Sequence, residues 1–304
     1  MISLVYTTLE LALIGSLTVL GLYLSYLTLD VCDLSTDGCF TLGACAAAVL
    51  ALSGHPYLAI AGAMISGLLS GLTVSFLQTF CGINSLLSGI IVNTALYSVN
   101  IAIMGNSSLL NLNKAKTIYT IIKEIFQGTF LKGYIFLLID FTFVLAVACF
   151  LNWFLKTRTG LAVKATGDNP FMVEASSIDA RITTIIALSI SNSFTALSGA
   201  LLAMSQKSVN IDIGNGMVTI ALASLLIGKI LSRSRKTSVR LLCSVLGSLI
   251  FRSVYALALR FNMPAYMLKF VSAVIVAVTI SLPYLKRQIP MLQRKAMIRR
   301  GASR

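Results

Sequence analysis

The residues able to do chemistry in this chain are polar side chains set into long apolar stretches. Asp30, Asp33 and Asp37 lie among hydroxyl side chains in the segment 30–43, between two apolar runs. A carboxylate at membrane depth is costly unless it faces a cavity or a partner. The same short side chains can also cap a helix that begins near Gly38. The pattern predicts either a broken helix beside a polar path or a plain interfacial loop.

A second group of polar residues follows one face of a predicted helix. Asn93, Tyr97 and Asn100 are spaced as i, i+4 and i+7, which places them on the same side of a helix. Inside an apolar span, such a stripe either joins helices through hydrogen bonds or lines a polar path. The residues predicted for a path are Asp33, Ser35, Asp37, Thr41, Asn84, Asn93, Tyr97, Asn100 and Asn192.

The segment 210–228 echoes the first one, since an aspartate and closely spaced glycines again precede an apolar run of small residues. Interrupted segments at matching places in two halves of a membrane chain indicate internal repeats around a central path. We therefore predict broken or re-entrant pieces near 29–43 and 207–218.

The chain has few residues suited to catalysis or to metal binding. His55 is the single histidine, so a catalytic triad or a histidine-rich metal site is excluded by count. The six cysteines contain no CxxC pair, which disfavours a metal site or a disulfide framework. A phosphate-binding P-loop is absent, because Gly228-Lys229 is followed by Ile230 and no upstream glycine has the required spacing. We predict no enzyme, and no metal or cofactor held by this chain.

The composition shows which elements must position these side chains. The 304 residues are 57% hydrophobic and 11% charged, whereas soluble domains carry about 25% charged residues. Apolar runs of about 20 residues, the length that crosses a bilayer, recur along the chain. We predict an all-α, polytopic transmembrane helical bundle in one domain, 1–304, with about nine spans (eight to ten), at 9–28, 38–54, 57–79, 83–103, 134–155, 183–206, 217–231, 238–259 and 265–284.

The basic residues predict the orientation of the bundle. Of the 24 Lys and Arg, 16 fall in 156–182, 229–240 and 286–304, and cytoplasmic segments are the ones enriched in positive charge. These segments are therefore predicted to be cytoplasmic. With an odd number of spans, the N-terminus lies outside and the basic tail, 285–304, lies at the anionic headgroups of the cytoplasmic leaflet. The net charge of +14 thus reports orientation and membrane lipid rather than nucleic acid.

The segment 160–180, within 156–182, predicts a short helix between two spans. Asn169 suits the N-cap, Pro170 the first helical position and Glu174 an early turn. Such a helix can dock a soluble partner. A helix lying on lipid headgroups would carry more basic residues than Lys164 and Arg181 supply.

Taken together, several segments resemble the permease subunits of bacterial ABC importers in the branched-chain-amino-acid/ribose superfamily. The chain is most similar to the branch of tryptophan/tyrosine or uncharacterised transport systems. The resemblance covers about 10–285, with the motifs in the same order. They are Asp33–Gly43, Ile83–Gly105, Ala165–Pro170, Ser189–Ala203 and Gly214–Gly228.

The resemblance implies an importer of a small solute, an amino acid or a related nutrient, in the inner (cytoplasmic) membrane. It implies a second permease copy, two ATP-binding subunits that use the ATP, and an extracytoplasmic solute-binding protein. Closure of the ATPases would drive alternating access, which requires each state to hold the coupling elements differently. The residues implied to couple to the ATPase are Gly160, Lys164, Gly167, Asp168, Asn169, Pro170, Phe171 and Glu174.

A self-contained secondary transporter driven by ions remains the alternative. Such a protein would move solute without an ATPase and would tolerate disruption of 160–179.

Overall fold

The computed structural model describes residues 2–125, 134–232, 234, 236–260, 270, 273–278 and 281. Most of this length is helical, because long apolar runs are separated by short groups of turn-forming residues. The elements are α1 (Ile2–Leu22), a π-turn (Tyr23–Thr28), α2 (Thr36–Leu52), α3 (Pro56–Thr79), α4 (Ser85–Ile103), β1 (Leu109–Asn111), α5 (Ile118–Ile125), α6 (Ile135–Phe154), α7 (Arg158–Asp168), α8 (Pro170–Ala175), α9 (Ala180–Gln206), β2 (Ser208–Asn210), α10 (Met217–Leu231) and α11 (Thr237–Arg260).

The helices agree closely with the predicted spans. The first eight each coincide with a helix, and most of the ninth, 265–284, lies outside the described residues, as does the tail 285–304. Six helices of the described part are long and apolar enough to cross a membrane, while α2 and α10 are shorter apolar helices. A helical bundle with several membrane-crossing helices is therefore confirmed, and the count of about nine spans stays a prediction. The two three-residue strands were not predicted.

Turn residues set the helix ends. α2 ends before Gly54, whose φ of 85° suits glycine, and α3 begins with Pro56 at its first position, where a missing N–H costs nothing. α4 begins after Asn84, whose side-chain oxygen accepts a hydrogen bond from the Leu86 N–H at 3.0 Å. This contact satisfies one of the free donors of the first turn.

The centre of the bundle is α9, against which α1, α2 and α3 pack. Small residues allow this close approach. A Cβ added at Gly43 would overlap the Ala196 carbonyl of α9, and one added at Gly71 would lie 2.5 Å from the Leu188 carbonyl oxygen. In lipid, where apolar burial gives little drive for association, close backbone contact of this kind holds helices together.

The two ends of the bundle differ in structure. At the strand end, β1 pairs antiparallel with β2, with Leu110 opposite Val209, and α5 packs on α6. At the α7 end, α7 and α8 connect α6 to α9. The helices of the bundle run between this strand end and this α7 end.

Candidate translocation path

The first interruption of the bundle lies between the π-turn and α2. Asp30 has a left-handed backbone, with φ 59°. Asp33 then accepts a hydrogen bond from the Ser35 N–H at 2.8 Å, the Asx type of turn. α2 begins at Thr36, two residues before the predicted Gly38, and Ser35 occupies the N-cap without a side-chain capping bond. The prediction that this side chain caps its own helix was therefore wrong.

The start of α2 lies beside the middle of α9. The Asn192 amide nitrogen donates to the Ser35 hydroxyl at 3.2 Å, and the Cys39 thiol donates to the Asn192 carbonyl at 3.2 Å. Asn192 is close to the midpoint of α9, which runs from Ala180 to Gln206. Helix α2 therefore starts deep within the bundle and covers only part of its thickness.

The second interruption lies between α9 and α10. α9 ends at Gln206, and its C-cap Lys207 has φ 52°. The chain then passes through β2 and a series of turns before α10 begins at Met217. Asp37 of α2 accepts hydrogen bonds from the Gly216 N–H at 3.0 Å and the Val218 N–H at 2.8 Å. Asp37 thus caps α10 rather than α2, contrary to the prediction. The N-termini of two interrupted helices therefore meet at one carboxylate. Its negative charge interacts favourably with the positive ends of both helix dipoles.

Gly214 makes this junction possible. A Cβ added there would overlap the Asp37 carbonyl oxygen and would lie 2.5 Å from the Thr41 hydroxyl oxygen. The segment before α10 is therefore pressed against the first turns of α2, and only glycine fits at this position. The predicted interruptions near 29–43 and 207–218 are both present, and they contact each other.

A polar pocket of about 340 Å³ opens beside this junction, between α2, α4 and the segment that leads into α10. Five of the nine residues predicted for the path line it, namely Asp37, Thr41, Asn93, Tyr97 and Asn100. Its other lining residues are Gly38, Thr94, Ser98, Ile211 and Asn215. Thr94 and Ser98 were missed, although their four-residue spacing beside Tyr97 was a usable signal.

The α4 wall of the pocket is held against α2 by amide side chains. The Asn100 side chain, 1% exposed, donates to the Gly38 carbonyl oxygen at 3.2 Å. Gly38 also leaves room for Asn93, whose Oδ1 would lie 2.6 Å from an added Cβ. Tyr97 is 51% exposed and faces the opening. The stripe at i, i+4 and i+7 therefore both joins helices and lines the pocket.

The four other predicted path residues do not line the pocket. Asp33, Ser35 and Asn192 are almost completely buried in the hydrogen-bonded cluster that fixes the start of α2. Asn84 is the exposed N-cap of α4, and that capping contact accounts for its polarity. Three of the four thus support the interruption itself, and one supports a helix end.

The predicted coupling helix has the expected form. The Asn169 side chain accepts from the Met172 N–H at 3.1 Å, and Pro170 is the first residue of α8. These caps confirm the predicted start. Glu174 is exposed, Phe171 is 81% exposed and Met172 is 70% exposed. A tip with two large uncovered apolar side chains is suited to docking another protein.

The other face of α7 is fitted to the bundle by glycine. A Cβ added at Gly160 would overlap the Phe154 carbonyl at the end of α6, and one added at Gly167 would overlap the Thr28 carbonyl of the π-turn. Asp168, the last residue of α7, is exposed. The eight predicted coupling residues thus form two groups. The tip is α8 with its cap, and the seat is α7, which packs on the bundle. The tip contains Asn169, Pro170, Phe171 and Glu174, and the seat contains Gly160, Lys164, Gly167 and Asp168.

Side-chain hydrogen bonds fasten α7 to two further helices. The Thr166 and Thr183 hydroxyls lie 2.8 Å apart, joining α7 to the first turn of α9. The Lys164 ammonium donates to the Thr237 hydroxyl at 3.2 Å, joining α7 to the first residue of α11. A displacement of α7 would therefore act directly on α9, whose Asn192 is hydrogen-bonded to the start of α2.

Comparison with known proteins identifies the family of this chain. Residues 4–279 match the family described as branched-chain amino acid transport system / permease component. The chain is 32% identical over 266 residues to the tyrosine transport system permease protein of Clostridioides difficile, covering 87% of this chain and 86% of that protein. It is also 32% identical over 223 residues to an uncharacterized protein of Rickettsia prowazekii, covering 73% and 76%. No solved structure matches. The chain therefore belongs to the branched-chain amino acid permease family of ABC transporters, whose members are multi-pass membrane proteins.

Proposed function

We propose that this permease forms the path by which an ABC importer moves an amino acid, or a closely related nutrient, into the cell. The observation that carries the proposal is the junction at Asp37. Two interrupted helices begin deep in the bundle and share one carboxylate, directly beside a polar pocket. Interrupted helices that expose backbone polar groups near the midplane are typical of solute sites in transporters.

The exposed face of α4 supports a path that a second permease copy completes. Thr94, Tyr97 and Ser98 are exposed within a helix that is otherwise apolar. The Thr94 hydroxyl donates to the Ile90 carbonyl within α4, but contact with lipid hydrocarbon would leave the Tyr97 and Ser98 hydroxyls without partners. Facing a second copy of the chain across an aqueous gap would keep these groups hydrated and would place two such pockets on one path.

The chemistry of the pocket supports a polar solute without a large net charge. Asp37 is the only carboxylate among the described residues that line it, and both oxygens of Asp37 already accept backbone hydrogen bonds. The remaining polar lining consists of amides, hydroxyls and one phenol. Such groups can bind the ammonium and carboxylate of a zwitterion without trapping either. The relative that is named for tyrosine transport supports an amino acid.

The α7 end is the proposed site of the ATP-binding subunit. Phe171 and Met172 form an exposed apolar tip, and α7 behind them contacts α9, α11 and the π-turn. Movement of a docked ATPase could thus be passed to the helices that surround the pocket. ATP would be bound by that partner, and no cofactor is required of this chain. The physical requirement is that the two ATPase states hold α8 differently.

The proposed ATPase site at the α7 end also sets the orientation of the permease in the membrane. The α7 end, which carries Lys156, Arg158, Lys164 and Arg181, would face the cytoplasm. The strand end would face outward and receive the solute-binding protein. The N-terminus would lie outside and the C-terminal tail in the cytoplasm of a bacterial cell.

Co-purification in mild detergent tests the ATPase assignment. Phe171→Ser removes the exposed aromatic ring of α8, and Tyr57→Ser removes an exposed ring, 69% accessible, at the strand end. We expect a P-loop ATPase to co-elute with the wild type and with Tyr57→Ser, and to be lost from Phe171→Ser. If no ATPase co-elutes with the wild type, and the permease alone moves amino acid into vesicles, the proposal is wrong and an ion-coupled transporter replaces it.

A further inference from the structure

A second polar pocket lies at the α7 end, away from the proposed path. It has a volume of about 320 Å³ and lies where the π-turn, the end of α10 and the start of α11 meet. Its lining residues are Tyr23, Leu27, Lys229, Ser232, Arg240 and Ser244. The proposed transport function uses none of these residues.

Positive charge without a counter-ion is the main property of this pocket. Lys229 and Arg240 line it, and Lys164 lies alongside, bound to Thr237 in the same turn of α11 as Arg240. None of these three cations forms an ion pair with a carboxylate in the described part of the chain. Burial, and in addition the charge of Arg240, lowers the pKa of Lys164 below its ordinary value. The cations therefore repel one another, and an anion would relieve that repulsion.

The donor groups around the pocket suit an oxyanion. The Arg240 Nε donates to the Ser234 carbonyl at 3.3 Å, and the guanidinium also hydrogen-bonds with the Tyr23 hydroxyl. The guanidinium has five N–H donors, so the others remain for a ligand. The pocket also lies at the first turn of α11, where the helix dipole favours negative charge. Lys229 in the last turn of α10, Arg240 in the first turn of α11 and the neighbouring serine hydroxyls form a common set of phosphate donors.

The position of the pocket indicates the source of the phosphate. The pocket lies where α10 ends and α11 begins, so it is level with the boundary between apolar and polar parts of the chain. Exposed apolar side chains continue from this level along the same two helices, with Leu231 51% and Leu242 61% exposed. A ligand with a phosphate group and acyl chains matches both features. Basic pockets between membrane helices bind anionic headgroups in this way.

We propose that this pocket binds the phosphate of an acidic phospholipid headgroup. The bound lipid would neutralise the charge between α10 and α11 and would lie against Lys164 on α7. It would therefore stabilise the seat of the coupling segment from the membrane side. The proposal concerns lipid binding by the permease alone, so it can fail or succeed independently of the transport assignment.

Lipid retention by the full-length permease tests this proposal. The protein is purified into nanodiscs of phosphatidylglycerol and phosphatidylcholine, and bound lipid is counted by native mass spectrometry after release. The test variant is Lys229→Gln with Arg240→Gln. The control is Lys156→Gln with Arg158→Gln, which removes the same two charges from exposed residues at the same end but outside the pocket.

The wild type and the control are expected to retain phosphatidylglycerol selectively. The test variant is expected to bind phosphatidylglycerol about thirtyfold more weakly than the wild type does. This magnitude corresponds to about 1 kcal/mol for each cation near an anionic headgroup. Equal retention by test and control variants, or no preference for phosphatidylglycerol in the wild type, would overturn the proposal.

Two further arms separate the lipid from other anions. Inorganic phosphate is titrated against the wild type in the same nanodiscs of phosphatidylglycerol and phosphatidylcholine, and we expect millimolar phosphate to displace no bound phosphatidylglycerol. If inorganic phosphate displaces phosphatidylglycerol at that concentration, the pocket is a site for free anions and the proposal is wrong. If the test variant keeps its lipid and instead loses a co-purifying ATPase, the cations dock a carboxylate of that partner and the proposal is also wrong.

Discussion

Replacing Asp37 by asparagine tests the junction of the two interrupted helices. The substitution keeps the shape of the side chain but removes its charge and turns one acceptor oxygen into an NH₂ donor. Asp37 now accepts two backbone hydrogen bonds, from Gly216 and Val218. Each bond to a charged acceptor contributes about 1.5 kcal/mol or more, and the single bond left to asparagine about 1 kcal/mol. We therefore expect the start of α10 to lose about 2 kcal/mol of local stability.

Hydrogen exchange of the backbone amides measures this loss where it occurs. A loss of about 2 kcal/mol raises the opening equilibrium roughly thirtyfold, so amides in 214–220 should exchange about thirtyfold faster in Asp37→Asn. The control is Asp212→Asn, an exposed aspartate in the same segment whose partner is the Asn215 side chain at 2.8 Å. If the two variants exchange alike in 214–220, Asp37 does not hold α10 and the reasoning about the junction fails.

Three further predictions follow from the packing and the caps. Gly214→Ala should lower the thermal stability of the purified protein and abolish uptake, because its Cβ overlaps the Asp37 carbonyl; Gly15→Ala, whose Cβ would meet its nearest atom at 3.7 Å, should change neither. Thr166→Val breaks the hydroxyl contact between α7 and α9 and should cost about 1 kcal/mol of stability. The ratio of ATP hydrolysed to solute transported should also change; an unchanged ratio would show that this contact does not couple α7 to α9. Asn84→Ala removes the cap of α4 and should cost about 1 kcal/mol of stability while uptake kinetics stay unchanged, since Asn84 lies outside the pocket; a changed KM for solute would contradict this placement.

The helices could be predicted because their signal is local. An apolar run such as 57–79 has one stable solution in a bilayer, and the observed α3 differs from it by a single residue. The start of α8 was equally predictable, because the cap residue Asn169 and Pro170 at the first position act within one turn. Local interactions of this kind depend on no other part of the fold.

The partners within the candidate path could not be predicted, because they depend on the tertiary fold. Asp37 and the two amides it binds are separated by about 180 residues in the chain, so nothing near Asp37 indicates that it caps α10. A polar residue also has the same appearance in several roles. Asn84 caps a helix, Asn192 supports a buried turn and Asn93 lines the pocket. Only the packing of the helices separates these roles.

Solute uptake by two neighbouring variants of α4 tests whether the solute passes through the polar pocket. Ser98 is exposed and lines the polar pocket, whereas Val99, 45% exposed, faces the apolar groove between α3 and α4. Each is replaced by tryptophan in the transporter purified with the ATPase and binding protein proposed above, and ATP-driven uptake into proteoliposomes is measured for the amino acid that the wild type transports. We expect Ser98→Trp to fill the pocket and stop uptake, and Val99→Trp to transport as the wild type does. Wild-type uptake by a folded Ser98→Trp would contradict this expectation, because the solute would then cross the membrane by another route.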